Sequence, residues 1–406
     1  MPQMETATLR TLSPATHWPA VLAAALCGIA VAMNVGKVAI ALPELRAEFD
    51  LSLVAAGWVS SMISAMAVSC ALLFGLLGDR VGALRMCFLG LMASLAGSGL
   101  ALFAGSATVL LVSRFLEGAG MVAVAVSAPA LLSAASHPGD RRFALGIWSS
   151  YLPGGVGLIM LVAPLAESAG GWRAVWGVAM LGMLAAAGSI WLLRPAYRGA
   201  APAPAQAHPL ASTKEALSRA MPWLLAVTMA SWTVQHYALI IWLPTFLQEQ
   251  RALGAQTVAL LSCLMVLVNV PGNLIGGALL QRHFPRGALI AGASLVTGLS
   301  GVGIFLDGLP DLARYGLCLV LSFVGGLIPA SVLSASASLA RAPNQIGTLQ
   351  GLFMQFGNLG PFVGPPLIAM LVASSGLWRD ALLVTGSAAV LGVALGLAIL
   401  RLERQR

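Results

Sequence analysis

The stretch 195–220, PAYRGAAPAPAQAHPLASTKEALSRA, interrupts a chain that is otherwise apolar for tens of residues at a time. Alternating Ala and Pro reads as an extended linker, and STKEALSRA (212–220) as a short amphipathic helix. On each side of this break the hydropathy rises and falls six times. The apolar runs lie near 18–43, 52–78, 83–105, 107–135, 142–166 and 172–194, then near 221–248, 254–281, 286–307, 311–340, 345–374 and 377–401. A helix needs about 20 residues to cross a bilayer, and the longer runs leave room for tilt or interfacial turns. The expected fold is therefore all-α: twelve transmembrane helices in two pseudo-symmetric six-helix bundles, 1–194 and 221–406, joined by a cytoplasmic linker, 195–220.

Composition agrees. Of 406 residues, 59% are hydrophobic and only 9% charged, where soluble domains carry about a quarter charged residues. Mean hydropathy is +0.90. Strands of an outer-membrane barrel alternate polar and apolar residues, which these continuous runs do not. The charge deficit also excludes a nucleic-acid partner despite a net charge of +8; the expected partners are the lipid bilayer, a small-molecule substrate and a proton, with the chain acting as a monomer. No cofactor or metal is expected, because HExxH, paired CxxC and GxxxxGK[ST] are all missing from the sequence. All five cysteines fall inside apolar runs and read as packing residues. No cleavable signal peptide is evident, since the first run is long and no small-residue cleavage site follows it.

The two halves resemble each other in register. GLLGDRVG (75–82) faces GALLQRHF (277–284), FLEGAG (115–120) faces FVGGLI (323–328), and GGWRAVW (170–176) faces SGLWRDAL (375–382). A duplicated bundle of this kind is the architecture of alternating-access transporters, with substrate near the midplane between halves. Loop charge gives the orientation. With the N-terminus cytoplasmic, fifteen Lys and Arg lie on the cytoplasmic side and five opposite, leaving Lys37 and Arg114 inside spans. The positive-inside rule therefore places both termini in the cytoplasm, and the inner membrane is the expected location.

The loop Gly75-Leu-Leu-Gly-Asp79-Arg80-Val-Gly82 resembles the G-x-x-x-D-R-x-G-R-R/K motif of the major facilitator superfamily, departing where Ala83 and Leu84 replace the basic pair and Arg85 alone remains. Arg114-Phe-Leu-Glu117-Gly118-Ala-Gly120 resembles the family's R-x-x-x-G-x-G element in the fourth helix, and Ala41-Leu42-Pro43 closes the first span as is common there. Within the family, Trp242-Leu243-Pro244 is similar to cyanate and nitroimidazole permease members. The resemblance covers the whole chain. It implies the major facilitator fold and no enzymatic activity. It also implies a gating role for Gly75, Asp79, Arg80, Gly82 and Arg85, with Asp79 meeting the start of the eleventh helix.

Charge inside a span is costly, so such residues are expected to face the bundle interior with partners. Glu117 is the acid well inside a span, one turn from Arg114, and is the candidate proton carrier; alternatively the two simply neutralise each other. Lys37, with Asn34 one turn earlier, either lines the cavity or snorkels outward. If it lines the cavity with Arg114, excess positive charge faces the substrate and favours a small anionic or polar solute. Further expected contacts are Trp148 and Tyr151, Gln235, His236 and Tyr237, and Gln355 and Asn358, each set sharing a helix turn. His236 is a second proton-coupling candidate. The expected function is secondary active, proton-coupled transport. The rivals are a proton-coupled efflux pump for amphipathic compounds, against which the lack of a G-x-x-x-G-P run in span five counts, and a transport-inactive sensor or scaffold.

Overall fold

The structure, a computed structural model, describes residues 15–197, 209–305, 308–341 and 345–405. Among these, eleven helices are long and apolar enough to cross a membrane. One of them, Tyr151–Leu192, is 42 residues long and is broken by non-helical backbone at Gly170 and Gly171, so it supplies both the fifth and the sixth of twelve spans. Gly171 has φ +64°, a conformation that favours glycine. An added Cβ there would meet the Glu44 carboxylate.

Local chemistry sets the ends. Span one, Trp18–Phe49, starts at His17, whose Nδ1 accepts from the Ala20 amide at 3.2 Å, with a proline in its first turn. Span four, Ala107–Ala135, is capped by Ser106, which accepts from the Val109 amide at 3.4 Å. Span two is Leu53–Ser61 and Ala65–Val81 joined by the 3-10 turn Met62–Ser64. It ends at Gly82, whose φ of 90° explains the glycine at that motif position. Span three is Ala83–Leu102, and after the linker helix Pro209–Leu217 span seven is Ala220–Arg251. Span eight is Ala255–Leu267 and Asn269–Gln281, and span nine is Arg286–Ile304. Span ten runs through Asp311–Gly325, Leu327–Leu333 and Ala335–Leu339, span eleven is Gln345–Ser375 and span twelve Ala381–Arg404.

The repeat is visible in the backbone. Spans one and seven both end on left-handed residues, Asp50 (φ 48°) and Ala252 (φ 50°), which are 202 residues apart. Spans three and nine end, at the same interval, on Phe103 and Phe305 with nearly equal dihedrals. Small residues let the backbones close up. An added Cβ on Gly120 would strike the Gly90 carbonyl oxygen, and one on Gly155 that of Ile29.

The halves touch along spans one and seven, two and eleven, and five and eight. On the side away from the termini, Arg46 pairs with Glu249 at 2.7 Å. There Trp58 meets Phe362 edge-on at 5.7 Å, and Gly57 lies against Pro366. The linker helix packs back onto the second half, where Glu215 bonds Arg341 at 3.2 Å and Gln345 at 3.0 Å.

Candidate functional site

Four of the polar residues singled out in the first half converge on one buried cluster. Glu117 sits between both intramembrane cations: Lys37 Nζ is 2.7 Å from Oε1, and Arg114 Nη1 bonds Oε2. The Lys37 ammonium also donates to Asn34 Oδ1 at 2.6 Å and Ser98 Oγ at 3.0 Å. Ser98 in turn donates to Glu117 Oε1 at 2.6 Å. A fourth contact is aromatic, with the ammonium 4.4 Å from the centre of the Trp176 ring. Arg114 Nε donates to the Val59 carbonyl of span two at 3.2 Å. Lys37, Asn34, Ser98, Arg114 and Glu117 have no solvent exposure at all.

This arrangement bears on the alternatives left open for these residues. Lys37 does not snorkel: its stem and ammonium are enclosed by spans one, three, four and six. Nor do the two cations stand bare toward a central cavity, because Glu117 bridges them inside the first bundle. The physical reason is the cost of burying an uncompensated charge, which draws the carboxylate in span four to both partners at once. The charge excess survives all the same, two cations against one anion. Arg114 Nη2 is buried with no hydrogen-bond partner, and so is Ser61 Oγ on the neighbouring turn of span two. Buried donors without partners are exceptional, and this one belongs to a guanidinium, whose fork geometry suits oxyanions.

The remaining residues fall into separate groups. Trp148 and Tyr151 stack at 4.2 Å, with an interplanar angle of 18°, over Gly28 of span one. His236 turns into the second half, stacked on Trp232 at 4.9 Å and 3.0 Å from Ser322 Oγ. Asn269 Nδ2 ties spans eight and ten by donating to the Ser322 carbonyl at 2.7 Å. Gln235 Nε2 donates to the Ser231 carbonyl of its own helix at 3.3 Å, while Tyr237 is buried beside His236. Gln355 crosses between halves, its Nε2 2.6 Å from the Val68 carbonyl of span two, whereas Asn358 bonds back to Met354. Among the described residues, no hydrogen bond, ion pair or ring contact joins these side chains to the Lys37 cluster.

Sequence reading missed Ser98, Trp176, Trp232 and Ser322. Trp176 lies inside a repeat landmark, and Ser322 stands 208 residues after Arg114, the interval by which FVGGLI follows FLEGAG. That interval was the available signal; Ser98 had none. Of the gating loop, Gly82 and the exposed Arg85 are described. Gly75, Asp79 and Arg80 lie on the helix that ends span two, with the side chains of Asp79 and Arg80 outside the described residues. Among the described residues, no three His, Cys, Asp or Glu side chains lie together so as to hold a metal ion.

The probable sulfoacetate transporter SauU of Cupriavidus necator is 25% identical over 379 residues, 88% of this chain and 87% of that one. The tetracenomycin C resistance and export protein of Streptomyces glaucescens is 31% identical over 188 residues, 46% of this chain and 35% of that one. The fold matches the inward-facing crystal structure of a bacterial homologue of the human lysosomal transporter Spinster, with a TM-score of 0.75 at 16% identity. That match covers 94% of this chain and 96% of that one. Residues 24–365 match the Major Facilitator Superfamily. The chain is a member of the Major Facilitator Superfamily, a multi-pass secondary transporter of small solutes and not an enzyme.

Proposed function

We propose that the protein moves a small organic anion across the cytoplasmic membrane in symport with protons, its halves 1–194 and 221–406 rocking about the interface between them. Both termini are then cytoplasmic, on the fifteen-to-five loop charge bias. The observation that carries the reading is the buried cluster of two cations and one carboxylate in which Arg114 Nη2 has no partner. While Glu117 is ionised it occupies Lys37 and one arm of Arg114. An oxyanion taking the remaining arm neutralises the excess charge. Protonation of Glu117 then releases both cations, so that solute and proton each change which partners hold spans one and four together. The resemblance to a sulfoacetate transporter supports a substrate of this class.

Proteoliposomes under an imposed pH gradient test it, with sulfoacetate and related small carboxylates and sulfonates as solutes. Lys37→Ala and Arg114→Ala are expected to abolish uptake. Glu117→Gln is expected to keep solute exchange at equal pH and to lose gradient-driven accumulation. Uptake surviving both cation deletions would sink the proposal. A second reading, export of amphipathic compounds, draws on the partial resemblance to the tetracenomycin exporter. It predicts a resistance phenotype in a pump-deficient host that the anion reading does not.

A further inference from the structure

Trp176 is fully buried, and its Nε1 has no hydrogen-bond partner. A buried indole usually finds an acceptor, so no polar contact of its own fixes how this ring sits. Its position matters to Lys37. The ammonium carries three N–H donors, and Asn34, Ser98 and Glu117 accept all three. The Trp176 face, 4.4 Å away, covers it on a further side. When Glu117 is protonated, that face remains beside two neutral acceptors as the neighbour that stabilises the positive charge.

The anchor for this ring lies one turn outward. Trp172 packs edge to face on Trp176, with centroids 5.0 Å apart and planes at 83°. Its own Nε1 does have a partner, donating to Glu48 Oε2 at 2.6 Å. Arg173 grips the same carboxylate with both arms, Nη1 to Oε2 at 2.9 Å and Nη2 to Oε1 at 2.6 Å. Such a fork-to-fork pair fixes geometry as well as adding energy. Arg173 also donates from Nε to the Leu102 carbonyl at 3.3 Å, and lies 4.3 Å over the Trp172 ring. Spans one, three and six are thus tied on the side away from the termini, over the first turn of span six. The repeat separates the outer pair from the inner ring. Trp172 and Arg173 have counterparts 206 positions on, in Trp378 and Arg379, whereas the residue 206 after Trp176 is Leu382. The residue 202 after Lys37 is Leu239. The inner ring stands only in the copy that has the lysine.

We propose that Trp176 and Trp172 are positioning residues for Lys37. The Glu48–Arg173 clamp fixes Trp172, Trp172 fixes the Trp176 ring, and the ring holds the ammonium where the solute needs it. That last step rests on the anion-transport reading; the chain of contacts does not.

The sequence has two lysines, Lys37 and Lys214, so full-length protein grown on isotopically labelled lysine gives two side-chain signals by NMR. In detergent micelles without solute, the ε-methylene protons of Lys37 should lie upfield of those of Lys214, because the Trp176 ring current shields nuclei over its face. Trp176→Leu should remove that shift. Trp172→Leu and Glu48→Ala, each separated from Lys37 by at least one ring, should reduce it and leave Lys214 unmoved. A wild-type Lys37 signal without the upfield shift overturns the proposal even if every variant misfolds. So does a shift that survives both Trp172→Leu and Glu48→Ala, since the clamp would then position nothing. In proteoliposomes with sulfoacetate, Trp172→Leu should raise the concentration for half-maximal uptake severalfold with little change in maximal rate. Trp176→Phe, which keeps an aromatic face, should recover most of what Trp176→Leu loses. Loss of maximal rate at unchanged half-saturation in all these variants would mark a merely structural role and overturn the positioning. If the wild type takes up no anion, the solute reading falls, and the lysine spectrum still decides whether the clamp positions the ammonium.

Discussion

Glu117→Ala removes the only counter-charge that the buried cluster contains among the described residues and leaves Lys37 and Arg114 facing each other at zero exposure. Breaking one buried ion pair by deleting a partner costs about 3–5 kcal/mol, because the remaining charge stays buried and uncompensated. Here two cations lose the same partner, and Ser98 loses its acceptor at 2.6 Å, so the cost belongs at the upper end. Lys37→Met makes the contrast. It leaves Arg114 and Glu117 as a charge-balanced pair, and Ser98 still has Glu117 to donate to, so the expected loss is only about 1 kcal/mol, the size of a typical hydrogen bond. For a half of this length about 2–4 °C of melting temperature corresponds to 1 kcal/mol. Glu117→Ala should therefore lower the unfolding midpoint in detergent by about 6–20 °C and Lys37→Met by a few degrees. The double variant should recover part of the Glu117→Ala loss, since one uncompensated cation has gone; the coupling between the two sites is the diagnostic quantity. Tryptophan fluorescence follows the transition directly, because Trp176 stacks on the ammonium. Equal shifts for the two single variants, or a double variant no better than Glu117→Ala, would refute the account of the cluster as a two-cation site held by one carboxylate.

Other outcomes follow from the same geometry. Arg46→Glu should weaken the contact between halves on the side away from the termini, and Arg46→Glu with Glu249→Arg should restore it. An exposed pair contributes about 0.2–1 kcal/mol, so thiol accessibility of a probe cysteine should change at most about fivefold. Gly120→Ala has no room beside the Gly90 carbonyl and should impair folding, whereas Gly177→Ala meets nothing within 4 Å and should hold or raise the melting temperature through helix propensity. At the end of span two, Gly82→Ala would be strained at φ 90°; a cost of about 1 kcal/mol or more is expected, read as a lower midpoint with transport assayed in parallel.

Much of this protein was legible in its amino-acid order. Membrane insertion admits few folds, because every backbone group in lipid must be satisfied within a helix or closed barrel, so continuous apolar runs fix helices. The linker, the repeat landmarks and the rarity of charge inside spans pointed directly to Lys37, Arg114 and Glu117. What hydropathy does not carry is the rotation of each helix about its axis. That rotation depends on which small residues let neighbours approach, such as Gly97 against Ser113 and Glu117. Tertiary packing alone brought Ser98 and Trp176 to the ammonium, turned His236 onto Ser322 instead of toward the other half, and kept Trp148 and Tyr151 apart from the charged cluster.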